Sequence, residues 1–517
     1  MASPHATRPP RGPVWLTLVL AALLSACGGA PTETSPAGPP ARPRPDVLLV
    51  LVDDLRPDLG CYGDARALTP HLDRLAREGV VFERAYCQQA LCSPSRTSLL
   101  TGLRPATTGV YDLSTHFRET LPDAPTLPQH FQGAGYRSIG VGKIYHVSAD
   151  LQDPPSWSAV HEPIEDRVWA APANVERVRE LRREARLRGL SGPTARRASL
   201  GPPYERGPDE GARYFDELAT EEALALLRAR DEQEAPLFLA VGFFAPHLPF
   251  NAPARHWREE DLDAPLPTAS PPVDAPQLAF QPGSELSDYD GVPADAALDE
   301  ALIRELRAGY RACVRAVDEH IGRLLDELER SERGRRTIVV VTSDHGFRLG
   351  EYGTWAKNAA FEHDLRVPLI VRAPAAARAG ARTRGLVELV DLFPSLCELA
   401  GLPAPDGLEG ASFAPLLLDP ERDWKRAVFA VQPREGERRG RRRTMLFGHS
   451  LRTDRYRYTR WSDPERPEAP LAQELYDHES DPGETRNLAG SPEQAELLGR
   501  LAAELNAGWR AALPAPN

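Results

Sequence analysis

Cys92, Ser93, Pro94, Ser95 and Arg96 set a sulfur nucleophile and a permanent cation four residues apart around a proline, and Thr101-Gly102 closes the segment. Asp53 and Asp54 end one apolar run, and Asp344 and His345 end another. Three carboxylates and an imidazole suit a hard divalent cation, Ca²⁺ ahead of Mg²⁺. Taken singly, an aspartate pair after a strand reads as a helix N-cap; two acidic clusters at strand ends favour the metal. Gly142-Lys143-Ile144-Tyr145-His146 follows a third run. Pro246-His247-Leu248-Pro249 follows a fourth, and its prolines restrict the backbone around one histidine. One histidine near a strand end is more often structural; two in equivalent places are harder to assign to packing. Among 62 lysines and arginines, only Lys143, Lys357 and Lys425 are lysine. Lysine kept against that bias, beside His146 and thirteen residues after Asp344, points to a need for a compact ammonium. A Cys87–Cys92 disulfide is the alternative use of Cys92 and would consume the nucleophile.

These residues need a scaffold that gathers strand ends. Asp46–Val52 is a nearly continuous apolar run and reads as a buried parallel strand. Similar runs recur at Arg137–Val141, Leu237–Val241, Thr337–Val341 and Leu369–Val371, with helical patterns between them. The clearest helix carries Leu306, Tyr310, Cys313, Val317, Ile321, Leu324 and Leu328 on one face, which makes Cys313 a packing residue. Strands alternating with helices predict an α/β fold with a large, mostly parallel central sheet flanked by helices. Ligands then collect at the carboxyl ends of the strands.

Residues 46–425 read as this catalytic domain and 426–517 as a smaller C-terminal α+β subdomain. The latter has strands at Ala427–Gln432 and Arg455–Thr459 and a closing helix over Pro492–Ala512. Residues 150–215 read as an insertion with a helix near Val175–Leu190, 262–295 as a long surface loop, and Glu437–Arg443 as a basic, solvated hairpin tip.

At the N-terminus, Arg8 and Arg11 precede an apolar run from Val14 to Leu24, and Leu24-Ser25-Ala26-Cys27 resembles a bacterial lipoprotein box. Residues 1–27 are thus expected to be a lipoprotein-type signal peptide, with an ordinary signal peptide as the alternative. Residues 28–45 read as a flexible Pro/Gly-rich tether. The run is short for a membrane span, so the expected membrane contact is a lipid on Cys27 that anchors an exported protein in the periplasm or at the cell surface. The net charge of −12 argues against nucleic acid as a partner and requires local positive charge around any anionic substrate. Neither a disulfide framework nor a zinc site is implied by the spacing of the six cysteines.

The Cys92–Gly102 segment, CSPSRTSLLTG, resembles the signature of the type I, formylglycine-dependent sulfatases of the alkaline phosphatase superfamily. The resemblance runs from Asp46 to about Leu488 and is strongest to the iduronate-2-sulfatase branch. It is carried further by Leu59–Asp64, Gly142–His146, Pro246–Phe250, Ser343–Gly346, Leu349–Lys357, Arg452–Tyr458, Glu474–Asp477 and Asp481-Pro482. It implies that a formylglycine-generating enzyme converts Cys92 to an aldehyde, whose hydrate attacks the sulfate ester of a sulfated saccharide. It implies that Asp53, Asp54, modified Cys92, Asp344 and His345 hold the metal and that Arg96 anchors the formylglycine. Lys143, His146, His247 and Lys357 then surround the sulfate. His146 is the expected base for sulfate ejection, and His247 with Lys357 the expected acid for the leaving oxygen. Phe347 departs from the tryptophan of the human-type enzyme, and the 150–215 insertion does not match closely. A phosphodiesterase or phosphonate hydrolase of the same fold, and a non-catalytic lipoprotein that binds sulfated glycans, are the alternative readings.

Overall fold

The computed structural model describes residues 44–515, apart from 160, 162–167, 211–213, 231–233, 281–284, 294–297, 375–376, 440–441 and 467–468. The segment read as a signal peptide, Cys27 and the expected tether up to residue 43 lie outside the described residues, as does the centre of the basic run at 437–443. In chain order the strands are β1 (Val47–Val52), β2 (Val80–Tyr86), β3 (Arg137–Gly142), β4 (Tyr204–Gly207), β5 (Leu237–Phe243), β6 (Phe250–Pro253), β7 (Ile338–Ser343), β8 (Arg366–Arg372), β9 (Ala381–Thr383) and β10 (Val387–Glu388). The C-terminal part adds β11 (Ala427–Arg439), β12 (Arg442–Thr453), β13 (Tyr456–Ser462) and β14 (Ala472–Asp477).

The main sheet has the order β10-β2-β8-β7-β1-β5-β3, with β9 paired to β2. It is mostly parallel; β8 alone among these strands runs against its neighbours β7 and β2. β1 is central and buried throughout. Its alternate residues feed two cores: Val47, Leu49 and Leu51 pack with Leu99, Leu100 and Phe131 on one face. Leu48, Val50 and Val52 pack on the other with Leu306, Tyr310, Cys313, Val317, Ile321 and Leu324 of the helix Glu300–Leu328. Each such aliphatic side chain contributes about 1.5–3 kcal/mol by leaving water, which is why an unbroken apolar run makes a central strand. Cys313 is fully buried in that core, as its helical spacing predicts.

Register fixes the site edge. Val52 lies opposite Phe243 of β5 and Ser343 of β7, so Asp53, Phe244 and Asp344 leave the sheet side by side. Gly142 of β3 lies opposite Gly242 of β5. A Cβ on Gly142 would stand 2.2 Å from the Gly242 carbonyl, and one on Gly242 would stand 2.0 Å from the Lys143 carbonyl. This glycine pair lets the Lys143 backbone close against β5.

β11–β14 form an antiparallel sheet in that order, covered by the helix Ala495–Ala507 through Leu497 and Leu501. The single closing helix expected over 492–512 is instead interrupted at Gly508, whose φ of 76° is left-handed. In the 150–215 segment the main helix is Pro172–Leu187. The 262–295 segment is not simply a surface loop: Ala264, Ala279, Leu286 and Tyr289 are buried. Its proline- and aspartate-rich composition hides these few apolar anchors. Among the described residues, no helix is long and apolar enough to cross a membrane.

Candidate active site at the strand ends

Cys92 is the first residue of a ten-residue helix, α2 (Cys92–Thr101), every residue of which is buried; the preceding helix, α1, is Pro70–Glu78. Pro94 sits in the first turn of α2, where a missing N–H costs nothing. Gly102 ends α2 in a left-handed conformation (φ 68°), with Leu408 2.8 Å from where a Cβ would be. The cysteine is a free thiol, as are Cys61, Cys87, Cys313 and Cys397, so no Cys87–Cys92 bridge forms. Its Sγ lies 3.3 Å from His345 Nε2 and 3.6 Å from Asp53 Oδ1, at a helix N-terminus that favours negative charge.

Arg96 is fully buried one turn further along α2. Its Nε donates to Asp344 Oδ2 at 2.8 Å and one Nη to Asp53 Oδ1 at 3.2 Å. The other Nη donates to the carbonyls of Lys143 and Ile144. One guanidinium therefore fastens the ends of β1, β3 and β7, and its donors are committed to that task. Ser95 assists by donating to the Asp344 carbonyl. Ser343 Oγ lies within reach of the Val52 and His345 carbonyls, to one of which its single hydrogen is donated, and accepts from the Leu55 N–H at 2.9 Å. Asp54 adopts a left-handed backbone (φ 59°), unusual outside glycine, and Tyr310 holds it by donating to its carbonyl at 2.9 Å.

Asp53, Asp54, Cys92 and His345, all buried, each present a ligand atom within 4.8 Å of the others. Asp344 stands just outside this quartet. Its Oδ1 accepts the N–H groups of Asp54 and His345, and its Oδ2 takes Arg96. Burial alone would strip the proton from His345, yet Asp344, the Cys92 sulfur and Asp54 raise it to about 10. Burial lifts Asp54 to about 6 against the pull of Lys357. Burial opposes ionisation of Asp53 too, but Lys143 and then Arg96 hold it well below the usual carboxylate range. Two carboxylates, an imidazole and the residue 92 side chain brought this close could hold a metal ion.

Two lysines face these carboxylates. Lys143 Nζ pairs with Asp53 Oδ2, and Lys357 Nζ with both oxygens of Asp54 at 2.9 and 3.1 Å. Their aspartates raise both ammonium groups despite burial. Phe244 lies 5.1 Å beneath Lys143, and Phe347 5.8 Å beneath Lys357. His247 Nε2 lies 4.0 Å from Asp54. Its loop is latched by Asp216, which accepts the N–H groups of Phe244 and Ala245. His146 makes no hydrogen bond to the cluster among the described residues. It lines a small cleft with Ser93 and Thr97 of α2, its buried Nδ1 without a hydrogen-bond partner there. Burial, and then Lys143, push it down to about 3, so it is neutral.

Lys425, the third lysine, is elsewhere: it pairs with Glu388 and Asp391 at 2.7 Å each. Two residues of the site escaped the sequence reading. Asp216 lies in the first turn of a helix, where an aspartate has an ordinary explanation. Glu285 reaches both His247 Nε2 (3.3 Å) and Lys357 Nζ (3.2 Å) from the 262–295 segment. Nothing in its spacing sets it apart from its acidic neighbours.

The sulfatase family domain matches residues 45–402, and the C-terminal domain described as N-sulphoglucosamine sulphohydrolase, C-terminal, matches 350–510. The chain is 32% identical to the iduronate 2-sulfatase of Mus musculus over 95% of its own length and 99% of the relative's. A phosphonate monoester hydrolase from Silicibacter pomeroyi superposes with a TM-score of 0.70 at 25% identity, covering 91% of this chain and 96% of that one. A structure in complex with D-glucosamine-2-N,6-O-disulfate superposes with a TM-score of 0.66 at 25% identity, covering 90% and 98%. Matched across most of its length by that domain and along nearly the whole of a curated relative, the chain belongs to the sulfatase family and is a sulfuric ester hydrolase.

Proposed function

We propose that the enzyme hydrolyses sulfate esters of O-sulfated saccharides, 2-O-sulfated uronates foremost, with Cys92 matured to formylglycine and Ca²⁺ at Asp53, Asp54, Asp344, His345 and residue 92. The observation that carries this reading is the placement of the Cys92 Sγ. It lies at a helix N-terminus, 3.3 Å from His345 and 3.6 Å from Asp53, between two lysine–aspartate pairs. The iduronate 2-sulfatase relative and the neighbour bound to a disulfated glucosamine support a saccharide substrate. Formylglycine supplies a hydrate with two hydroxyls on one carbon, and a cation supplies charge that favours the ionised nucleophile.

The remaining roles belong to this chain's own groups. Lys143 and Lys357 offset charge on the sulfuryl oxygens, while Arg96 keeps the strand ends in place. His247 Nδ1 faces the Leu248 carbonyl at 2.7 Å; a carbonyl only accepts, so Nδ1 carries hydrogen, and Nε2 gives a proton to the leaving oxygen only from the imidazolium, which burial and then Lys357 oppose and Glu285 and Asp54 favour. His146, neutral with an unsatisfied ring nitrogen, accepts the proton whose removal ejects sulfate. Replacing it by alanine is expected to lower kcat about 10²–10⁴-fold. Its depressed pKa leaves it unprotonated above about 3, so between about pH 5 and 8 the kcat profile should contain no acid limb from His146. A limb near neutrality that vanishes in His146→Gln would contradict the depressed pKa, and an unchanged kcat in His146→Ala would contradict the role as base.

The phosphonate hydrolase neighbour favours a second reading, phosphodiester or phosphonate cleavage. Rates on 4-nitrophenyl sulfate and on an aryl phosphate diester decide between them. The sulfate is expected to turn over at least about a hundredfold faster, and the reverse order would sink the sulfatase chemistry proposed here. The residues before 44 support an exported enzyme tethered by a lipid on Cys27, in the periplasm or at the cell surface.

A further inference from the structure

Glu285 is a puzzle in an anion site. Asp54 already meets Lys357 with both carboxylate oxygens, so charge balance does not call for a second acid there. A carboxylate beside a sulfate-binding lysine also repels the substrate. Its position shows what it gains instead. Glu285 opens a short helical turn, Glu285–Asp288, pinned by buried Leu286 and Tyr289. Its side chain is 31% exposed, against 14% for His247 and 7% for Lys357, so it is the most solvent-exposed of the three. One oxygen lies 3.3 Å from His247 Nε2, the nitrogen that serves the leaving oxygen.

We infer that Glu285 reads the hydroxyl on the sugar carbon next to the sulfated one. Oxygens on neighbouring ring carbons are about as far apart as hydrogen-bonded atoms. A leaving oxygen at His247 Nε2 therefore brings the adjacent hydroxyl to the Glu285 carboxylate. That carboxylate only accepts, so it takes a free hydroxyl and rejects a second sulfate at that position. Burial works against its ionisation, but Lys357 and then His247 hold it at about 2, so it stays an acceptor at neutral pH.

This inference rests on the saccharide reading of the same site, and the experiment separates the two. The substrates are a 2-O-sulfated hexuronide with its 3-hydroxyl, the 3-deoxy counterpart and the 2,3-di-O-sulfated form, with 4-nitrophenyl sulfate as a check on sulfatase chemistry. Wild-type kcat/KM is expected to favour the hydroxylated over the deoxy substrate by about tenfold to a hundredfold. Glu285→Ala should collapse that ratio towards one. Glu285→Gln, which keeps shape but not charge, should raise turnover of the disulfated form relative to the monosulfated one. A role in holding Lys357 and His247 in place would instead slow all three saccharides alike and leave both ratios unchanged, which overturns the inference. Wild-type turnover of 4-nitrophenyl sulfate with none of any hexuronide rejects the uronate substrate and this role with it. Turnover with unaltered ratios in the variants rejects the role of Glu285 alone.

Discussion

Cys92→Ala is expected to lower turnover of 4-nitrophenyl sulfate by at least about 10⁴-fold, because loss of a covalent nucleophile removes a unit that no neighbour replaces. The fold should survive. The thiol's recorded polar contacts are the weak ones to His345 and Asp53, while the α2 latch to the strand ends runs through Ser95 and Arg96. A melting temperature close to wild type, together with the lost rate, is therefore the expected pair of results. Mass spectrometry of the wild-type peptide spanning Cys92, expressed natively, should show an aldehyde in place of the thiol. Full activity in a protein carrying only the thiol, or activity retained by the alanine variant, contradicts the formylglycine mechanism.

Lys425→Met is expected to destabilise the fold by about 3–5 kcal/mol, the cost of leaving buried charge uncompensated. Lys425 and Arg104 together neutralise Glu388 and Asp391, and Arg104 makes a two-pronged contact to Glu388 at 2.7 Å on each oxygen. Although burial opposes its ionisation, Glu388 is held at about 2 by Arg104 and then Lys425. Its Oε1 also accepts the Phe429 N–H at 3.0 Å, which ties β11 to β10. The urea midpoint measures the effect. A midpoint unchanged from wild type would show that the methionine side chain packs well enough to make the network dispensable.

These two residues also mark how far the sequence could be read. The run VLLVLV and its closing Asp53-Asp54 needed only burial and periodicity to be placed at the site edge. The lysine economy pointed to Lys143 and Lys357, and the structure brings both to the aspartates. The same economy covers Lys425, where the compact ammonium serves a buried ion network instead of a substrate. β2 was not legible because Glu83 and Arg84 interrupt its apolar run, at the place where its register with β8 shifts between Phe82 and Ala85. β12 opens with basic residues and hides in the same way. Arg96 was visible as a residue type, but its donors go to three strand ends that only the folded sheet brings together. Glu285 and Asp216 act through tertiary placement alone.

The burial of Cys92 imposes an order in time. At 1% exposure in the finished fold, it lies against Asp53 and His345 just past the ends of β1 and β7, beyond the reach of another protein's catalytic groups. Under the proposed maturation, the oxidising enzyme must read Cys92–Arg96 as an extended segment, before β1 and β7 pair. Strand pairing then acts as a deadline. A chain that folds too early seals in an unoxidised thiol, correctly folded and inert. On that maturation, the active fraction of a preparation would record a race between modification and folding.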